Sequence, residues 1–186
     1  MDLTLILGPM KSGKSFDLIR HFAPLTYTNI PFILFQSSRN VRDSQISSRG
    51  GMAIEAVKVD RIPYDIDARV IGIDEMHMFG PENIPTIERL LKKRIEIIAS
   101  GLDTDYQGKM FEITKGLMEL GPKEVRYKRA VCEICKSPTA VYSQVLRSGL
   151  PITEGMPPVI PDDGTYTYQA LCRYCFVKPS TIHSNI

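Results

Sequence analysis

Apolar residues are arranged in two different ways along the first 130 positions of the chain. Short apolar runs have the length of buried strands, and they lie at residues 3–7, 31–35, 70–73 and 95–99. Other segments repeat apolar residues every three or four positions, which predicts helices at residues 15–22, 81–93 and 110–120. Strands that alternate with helices in this way predict an α/β fold with a mostly parallel sheet whose faces are covered.

Three further segments complete this part of the chain. Residues 36–51 are rich in Ser, Arg, Asn and Gly, and we interpret them as a long surface loop. Residues 53–59 alternate apolar and polar side chains and predict one strand. Residues 123–129 predict a strand with a charged outer face.

The composition of the chain changes near Val131. Turn-forming and β-forming residues become frequent, and strands are predicted at 142–146 and 166–171 on either side of a proline-rich and glycine-rich loop. We therefore expect one domain at 1–130, a smaller domain at 131–178 and a tail at 179–186.

The segment at 8–15, Gly-Pro-Met-Lys-Ser-Gly-Lys-Ser, fits the phosphate-loop pattern G-x-x-x-x-G-K-[ST] at every fixed position. It follows a predicted strand and opens a predicted helix, which is the context that this motif requires. Gly8 and Gly13 allow the backbone to curl with its N–H groups inward, and the helix N-terminus adds partial positive charge. Lys14 can then reach the β- and γ-phosphates, and the Ser15 hydroxyl can coordinate Mg²⁺. A chance glycine-rich turn is the alternative.

An acidic pair, Asp74-Glu75, ends the predicted strand at 70–73. In a chain with a phosphate loop, Asp74 is placed to hold Mg²⁺ directly or through water. Glu75 could accept a proton from an attacking hydroxyl. A carboxylate here can also activate water, so the two motifs alone do not decide between phosphoryl transfer and ATP hydrolysis. Two solvated acids before a turn are the non-functional alternative.

All four cysteines of the chain fall in two C-x-x-C pairs, Cys132 with Cys135 and Cys172 with Cys175. Two such pairs can complete a tetrahedron of thiolates around zinc, with no position left for water. The zinc would then be structural and would join the ends of the intervening segment. A redox pair or free thiols are the alternatives.

Composition narrows the choice of partners and location. The chain has 186 residues, 43% apolar residues and a formal net charge of +2, so it can bury a core and has no strong charge bias. It lacks a basic stripe or polybasic tail, so we expect neither nucleic acid nor membrane as a partner. Its N-terminal apolar run is too short for a signal peptide and no stretch could span a bilayer, so we expect a cytoplasmic protein.

Taken together, these motifs resemble those of the cellular, tetrameric (type II) thymidine kinases. The matching pieces are the loop at 8–15, Ile73-Asp74-Glu75, Gly101-Leu102-Asp103 with Tyr106-Gln107, Phe111, and both C-x-x-C pairs. Their order and spacing agree from Leu3 to about Phe176. A phosphate-loop ATPase of another kind is not expected to carry the whole set.

The resemblance implies a RecA-like phosphate-loop domain, a zinc-binding lid with a loop that closes over the nucleoside, and a homotetramer. It implies transfer of the γ-phosphoryl group of ATP to the 5′-hydroxyl of thymidine, a step of DNA precursor synthesis, with Glu75 as general base and Ser15 and Asp74 at magnesium. The residues expected at ATP are Gly8, Pro9, Met10, Lys11, Ser12, Gly13, Lys14, Ser15 and Arg42. Those expected at the nucleoside are Met10, Met78, Leu102, Tyr106, Phe111, Ser143, Gly164 and Tyr168.

Several residues depart from the family pattern. His77 stands where the family has Gln, Met78 replaces an aromatic residue, and Asp162-Asp163-Gly164 replaces Ile-Gly-Gly. A kinase with a shifted preference, such as one for deoxyuridine, therefore stays open. The alternative from another class is a zinc-ribbon ATPase that acts on nucleic acid or as a mechanical module, against which the near-neutral charge argues.

Overall fold

Six parallel strands form the main sheet of the computed structural model, which describes residues 2–40, 45–47, 51–160 and 164–177. Numbered in chain order, the strands of this sheet lie side by side as β5 (Val57–Val59), β2 (Phe32–Ser37), β6 (Val70–Asp74), β7 (Glu96–Gly101), β1 (Leu3–Leu7) and β8 (Glu124–Tyr127). Every neighbouring pair in it is parallel. The predicted α/β fold is confirmed, and β7 separates the strand before the phosphate loop from the strand that carries Asp74.

Helices cover both faces of this sheet. They are α1 (Lys14–Phe22), α2 (Ile84–Lys92) and α3 (Glu112–Glu119), and each lies within the bounds of a predicted helix to within a few residues. Because successive strand residues point to opposite faces, Ile6 packs in one apolar cluster with α1, whereas Leu5 packs in another with α2 and α3. None of the helices in the described part of the chain is long and apolar enough to cross a membrane.

The predicted surface loop at 36–51 is wrong in part. Strand β2 continues through Gln36 and Ser37, which are each 2% exposed, because β5 and β6 flank it on both sides. Residues 45–47 form β3 (Gln45–Ser47), and its fully buried Ile46 packs against the cluster beneath α1. A single apolar residue in a polar stretch is too weak a signal to predict this strand.

The single strand predicted at 53–59 is also wrong. The segment contains two strands in different sheets: β4 (Ala53–Glu55) pairs antiparallel with β3, and β5 joins the edge of the main sheet beside β2. Alternation of side chains is the same in both sheets, so the sequence pattern does not reveal the break at Ala56.

The C-terminal part of the chain forms an antiparallel sheet of β9 (Tyr142–Arg147), β10 (Leu150–Pro151) and β11 (Thr167–Leu171). The strands predicted at 142–146 and 166–171 are confirmed, and the hairpin strand β10 adds a short edge. A small cluster of buried residues joins this sheet to both cysteine pairs. The domain boundary near residue 131 stays a prediction.

Candidate active site

The phosphate loop connects the end of β1 to the start of α1, and its two glycines meet separate backbone requirements. A Cβ atom at Gly8 would clash with the backbone carbonyl oxygen of Lys128, the residue directly after β8, so only glycine fits there without displacing that backbone. Gly13 has a φ of 81° at the N-terminus of α1, a left-handed conformation that glycine adopts at little cost. The loop therefore delivers its last two residues, Lys14 and Ser15, into the first turn of the helix.

The Lys14 ammonium is buried at the loop. It donates a hydrogen bond to the Pro9 carbonyl at 2.8 Å, and the Ser12 hydroxyl donates to the same carbonyl at 2.8 Å. Burial lowers the pKa of Lys14, whereas the negative charges of Glu75, Asp74 and Asp103 oppose that shift. Lys14 is thus placed where the loop meets an acidic edge of the sheet.

Asp74 lies at the end of β6 and is buried. The Ser100 hydroxyl donates a hydrogen bond to its carboxylate, and the Ser15 hydroxyl lies 3.4 Å from each of its oxygens. Burial and then the charge of Glu75 raise the pKa of Asp74 to about 6. A hydroxyl beside a carboxylate is a donor set that suits Mg²⁺, so the two residues fit that ion.

Glu75 follows in a left-handed backbone conformation, with φ 49° and ψ 44°. For a residue with a side chain this conformation costs roughly 1 kcal/mol or more, and such residues concentrate at functional sites. It ends the strand and begins a 3₁₀ turn at Met76–Met78. The Glu75 side chain is 30% exposed and lines a cavity above the sheet edge.

His77 contacts Glu75 without forming an ion pair. Its Nδ1 accepts a hydrogen bond from the Leu102 N–H at 3.2 Å, and the same atom lies 3.4 Å from Glu75 Oε2. Burial, followed by the charge of Lys14, lowers the pKa of His77 to about 3. The ring is therefore neutral at physiological pH, with its proton on Nε2, and it stacks at a tilt against Phe111.

One cavity of about 490 Å³ joins these polar residues to an apolar group. Its polar wall includes Lys14, Ser15, Asp74 and Glu75. The apolar and aromatic lining comes from Met10, Met78, Leu102, Tyr106, Phe111, Val145, Val159, Ile160 and Tyr168. A cavity of this size and lining suits a small planar molecule held beside a charged group.

The C-terminal sheet closes one side of the cavity. Ser143 on β9 accepts a hydrogen bond from the Met10 N–H of the phosphate loop at 2.9 Å. The Tyr106 hydroxyl donates to the Met156 carbonyl at 2.8 Å and accepts from the Met156 N–H at 3.2 Å. The first bond therefore holds β9 against the phosphate loop, and the other two hold the segment after β10 against Tyr106, which lines the cavity.

The four cysteines form a group that can hold a metal ion. Their sulfur atoms all lie within 4.8 Å of one another, and Cys135 Sγ is 3.7 Å from Cys172 Sγ. With zinc–sulfur distances of about 2.3 Å, the sulfurs of a tetrahedral site lie about 3.8 Å apart, so the arrangement fits zinc. Burial opposes ionisation of Cys132, but N–H groups of Cys172, Cys135 and Ile134 outweigh it and lower the pKa of that thiol to about 6.

Comparisons with known proteins agree with this geometry. A family model described as thymidine kinase matches residues 1–176. The chain is 31% identical to the thymidine kinase of Thermococcus kodakarensis, covering 95% of this chain and 94% of the relative. It is 33% identical to that of Mesomycoplasma hyopneumoniae, covering 93% and 94%, and 29% identical to that of Pyrobaculum aerophilum, covering 95% and 99%.

The chain belongs to the thymidine kinase family. Most residues that this family resemblance singled out line the one cavity, namely Met10, Lys11, Ser12, Gly13, Lys14, Ser15, Asp74, Glu75, Met78, Leu102, Tyr106, Phe111, Ser143 and Tyr168. Gly8 and Pro9 do not line it but shape the loop that does. Gly164 is exposed and lies outside the lining, and Arg42, Asp162 and Asp163 fall outside the described residues. The roles predicted for all of these residues stay predictions, and for Arg42, Asp162 and Asp163 the position does as well.

Sequence reasoning missed several buried polar residues that line the cavity, namely Gln36, Asn40 and Asp105. The sequence predicts Gln36 in a surface loop, yet Gln36 lines the cavity and pairs with Asp74 in the register of β2 and β6. Its amide oxygen is buried and has no hydrogen-bond partner among the residues that the structure describes. The sequence did contain a signal for Gln36, because this residue directly follows the predicted strand at 31–35. Ligands of parallel sheets bind at the edge where the carboxyl ends of the strands meet.

Proposed function

We propose that this chain transfers the γ-phosphoryl group of ATP to the 5′-hydroxyl of thymidine. The observation that carries the proposal is the single cavity in which Lys14, Asp74 and Glu75 meet an apolar and aromatic lining. The lining suits a planar base, and the polar wall suits a triphosphate and the hydroxyl that attacks it. Family membership and the names of the relatives support thymidine as the acceptor.

The phosphate loop binds the triphosphate and stabilises the charge that spreads over the transferred group. Its N–H groups and the Lys14 ammonium hold the phosphates, and Lys14 exchanges its bond to the Pro9 carbonyl for phosphate oxygens. Ser15 and Asp74 are the residues that would hold Mg²⁺, which when bound neutralises phosphate charge.

Glu75 is the general base. As the 5′-hydroxyl oxygen attacks the γ-phosphorus and ADP leaves, the hydroxyl proton passes to the Glu75 carboxylate. Neutral His77 beside it does not cancel the carboxylate charge, so Glu75 keeps its capacity to accept the proton. The left-handed backbone at Glu75 turns its side chain out of the strand and towards the cavity.

The segment at 131–178 acts as a lid that excludes water and so suppresses hydrolysis of ATP. Zinc on the four cysteines is structural, because four thiolates leave no position for a substrate or water. A homotetramer in the cytoplasm is the assembly that the resemblance implies, and light scattering on the purified protein tests its mass.

The general base is tested by Glu75→Gln, which keeps the size of the side chain and removes its charge. Thymidine phosphorylation should fall by roughly two to four orders of magnitude, the usual range for a lost general base, while ATP still binds. Glu119→Gln, on the exposed face of α3, is the matched control and should leave the rate unchanged. Near-wild-type turnover by Glu75→Gln would reject the assignment.

The acceptor is tested by incubating the protein with labelled ATP and Mg²⁺, alone and with thymidine, deoxyuridine, DNA or RNA. Labelled thymidine monophosphate formed only in the presence of thymidine supports the proposal. A faster reaction with deoxyuridine than with thymidine would show that deoxyuridine is the preferred acceptor. ATP loss stimulated by DNA or RNA would favour the alternative function, a zinc-ribbon ATPase.

A further inference from the structure

The ammonium of Lys11, in the middle of the phosphate loop, contacts the cysteine knuckles, which we define as residues 132–135 and 172–175. Lys11 Nζ lies 2.6 Å from Glu133 Oε1 and 3.5 Å from the Tyr168 carbonyl oxygen. Glu133 belongs to the first knuckle, and Tyr168 lies on β11, which leads into the second. The loop that binds phosphate is therefore joined to the part of the chain that binds metal.

Glu133 is itself held firmly on this sheet. The oxygen that meets Lys11 also accepts the Ala170 N–H at 2.8 Å, and the Glu133 N–H donates to the Ala170 carbonyl at 2.9 Å. Glu133 is thus bound to β11 through its backbone and its side chain. Any displacement of the knuckle would move the carboxylate that holds Lys11.

The phosphate loop has a second link to the same sheet one residue earlier. The Met10 N–H donates to Ser143 Oγ on β9, so that amide is already engaged by the lid. Lys11 has a left-handed φ of 64°, which is unfavourable for a residue with a side chain and needs support from its surroundings. The lid supplies that support at two consecutive residues of the loop.

We propose that Lys11 and Glu133 form a positioning link through which the cysteine knuckles set the shape of the phosphate loop. Lys11 then acts through the loop backbone and does not bind phosphate itself. Because coupling between two sites is reciprocal, an ordered metal site strengthens ATP binding, and bound ATP slows loss of the metal. The inference rests on the proposed function only in taking ATP as the ligand of the loop.

Two matched variants test the link with the intact zinc-loaded protein. Lys11→Met keeps most of the side-chain length without charge, and Glu133→Gln keeps an acceptor for the Ala170 N–H. The dissociation constant of Mg·ATP, measured by calorimetry without nucleoside, should rise by about threefold to tenfold in each variant and no further in the double variant. Lys11→Arg should restore most of the affinity. Lys92→Met, which breaks the exposed pair with Glu88, is the control and should change nothing.

Zinc release to a chromogenic chelator gives the reciprocal measurement. Saturating Mg·ATP should slow release from the wild type, and this protection should be lost in Lys11→Met and Glu133→Gln. If Lys11→Met weakens ATP binding while Glu133→Gln does not, Lys11 binds phosphate directly and the link is rejected. Additive effects, or unchanged affinity in both variants, also reject it. Because neither measurement needs turnover, a protein that binds ATP but fails to phosphorylate thymidine would refute the proposed function alone.

Discussion

The parallel sheet that carries the phosphate loop and the antiparallel sheet that carries the cysteine knuckles are stabilised in different ways. The first buries large aliphatic and aromatic side chains on both faces, among them Leu5, Ile6, Phe22, Phe35 and Ile73. The cluster beside the knuckles is made of Ala130, Cys132, Ala140, Ala170, Leu171, Cys172 and Phe176. Alanine and cysteine bury little apolar area, so the cluster beside the knuckles gains much less from the hydrophobic effect than the core of the parallel sheet.

The difference indicates which region can hold its shape alone. Apolar burial at about 25 cal/mol per Å² supports the phosphate-loop sheet without a metal. The knuckle region needs another source, and a structural zinc site contributes roughly 10–16 kcal/mol in small zinc-binding peptides. The lid proposed above would then open at its contacts with the loop while the metal maintains its own fold, which would give a nucleoside access to the cavity.

Removal of the metal should have the largest of the expected effects, and it should destabilise the antiparallel sheet while the parallel sheet stays folded. Treatment with a strong chelator, or Cys172→Ser, should abolish amide protection in β9 and β11 and end thymidine phosphorylation, because on the order of 10 kcal/mol of metal binding is lost. Protection in β1, β6 and β7 should persist, since their core lies elsewhere. Hydrogen exchange followed by mass spectrometry measures both regions in one sample. Unchanged exchange and activity after the metal is shown to be absent would refute a structural role for it.

A cavity in the main core should destabilise the parallel sheet instead. Ile97 on the central strand β7 is fully buried, so Ile97→Ala should cost about 2–5 kcal/mol in the free energy of unfolding. Val57→Ala on the edge strand β5, where the side chain is 47% exposed, is the control and should cost much less. Urea denaturation of the zinc-loaded proteins measures both. Equal costs for the two variants would contradict a core centred on β7.

The smallest expected effect comes from His77, a buried polar group in the parallel-sheet region. Its pKa is about 3, below the ordinary value near 6.5, so between these values the unfolded chain binds a proton that the folded chain does not. Stability from this group is therefore complete above pH 6.5 and falls as the pH decreases. Relative to His77→Gln, the wild type should lose about 1 kcal/mol between pH 6 and pH 5. Parallel curves of unfolding free energy against pH would show that His77 titrates normally.

The phosphate loop, the acidic pair and the cysteine pairs could all be predicted because each is a local pattern with a fixed spacing. The same holds for β1, β6 and α1, whose apolar residues are contiguous or regularly repeated. The split of residues 53–59 could not be predicted, since both halves have the same alternation and differ only in the strand they pair with. The buried position of Gln36 likewise depends on β5 and β6 lying on either side of β2.

The sequence by itself determined which groups can perform the chemistry: Lys14 and Ser15 after a glycine loop, Asp74 and Glu75 after a strand, and four thiols in two pairs. The tertiary structure alone decided how these groups meet. It made His77 neutral by burying it, and it joined Lys11 to Glu133 across 122 positions of the chain. Ionisation and long-range pairing depend on neighbours that are distant in sequence, and no local pattern specifies those neighbours.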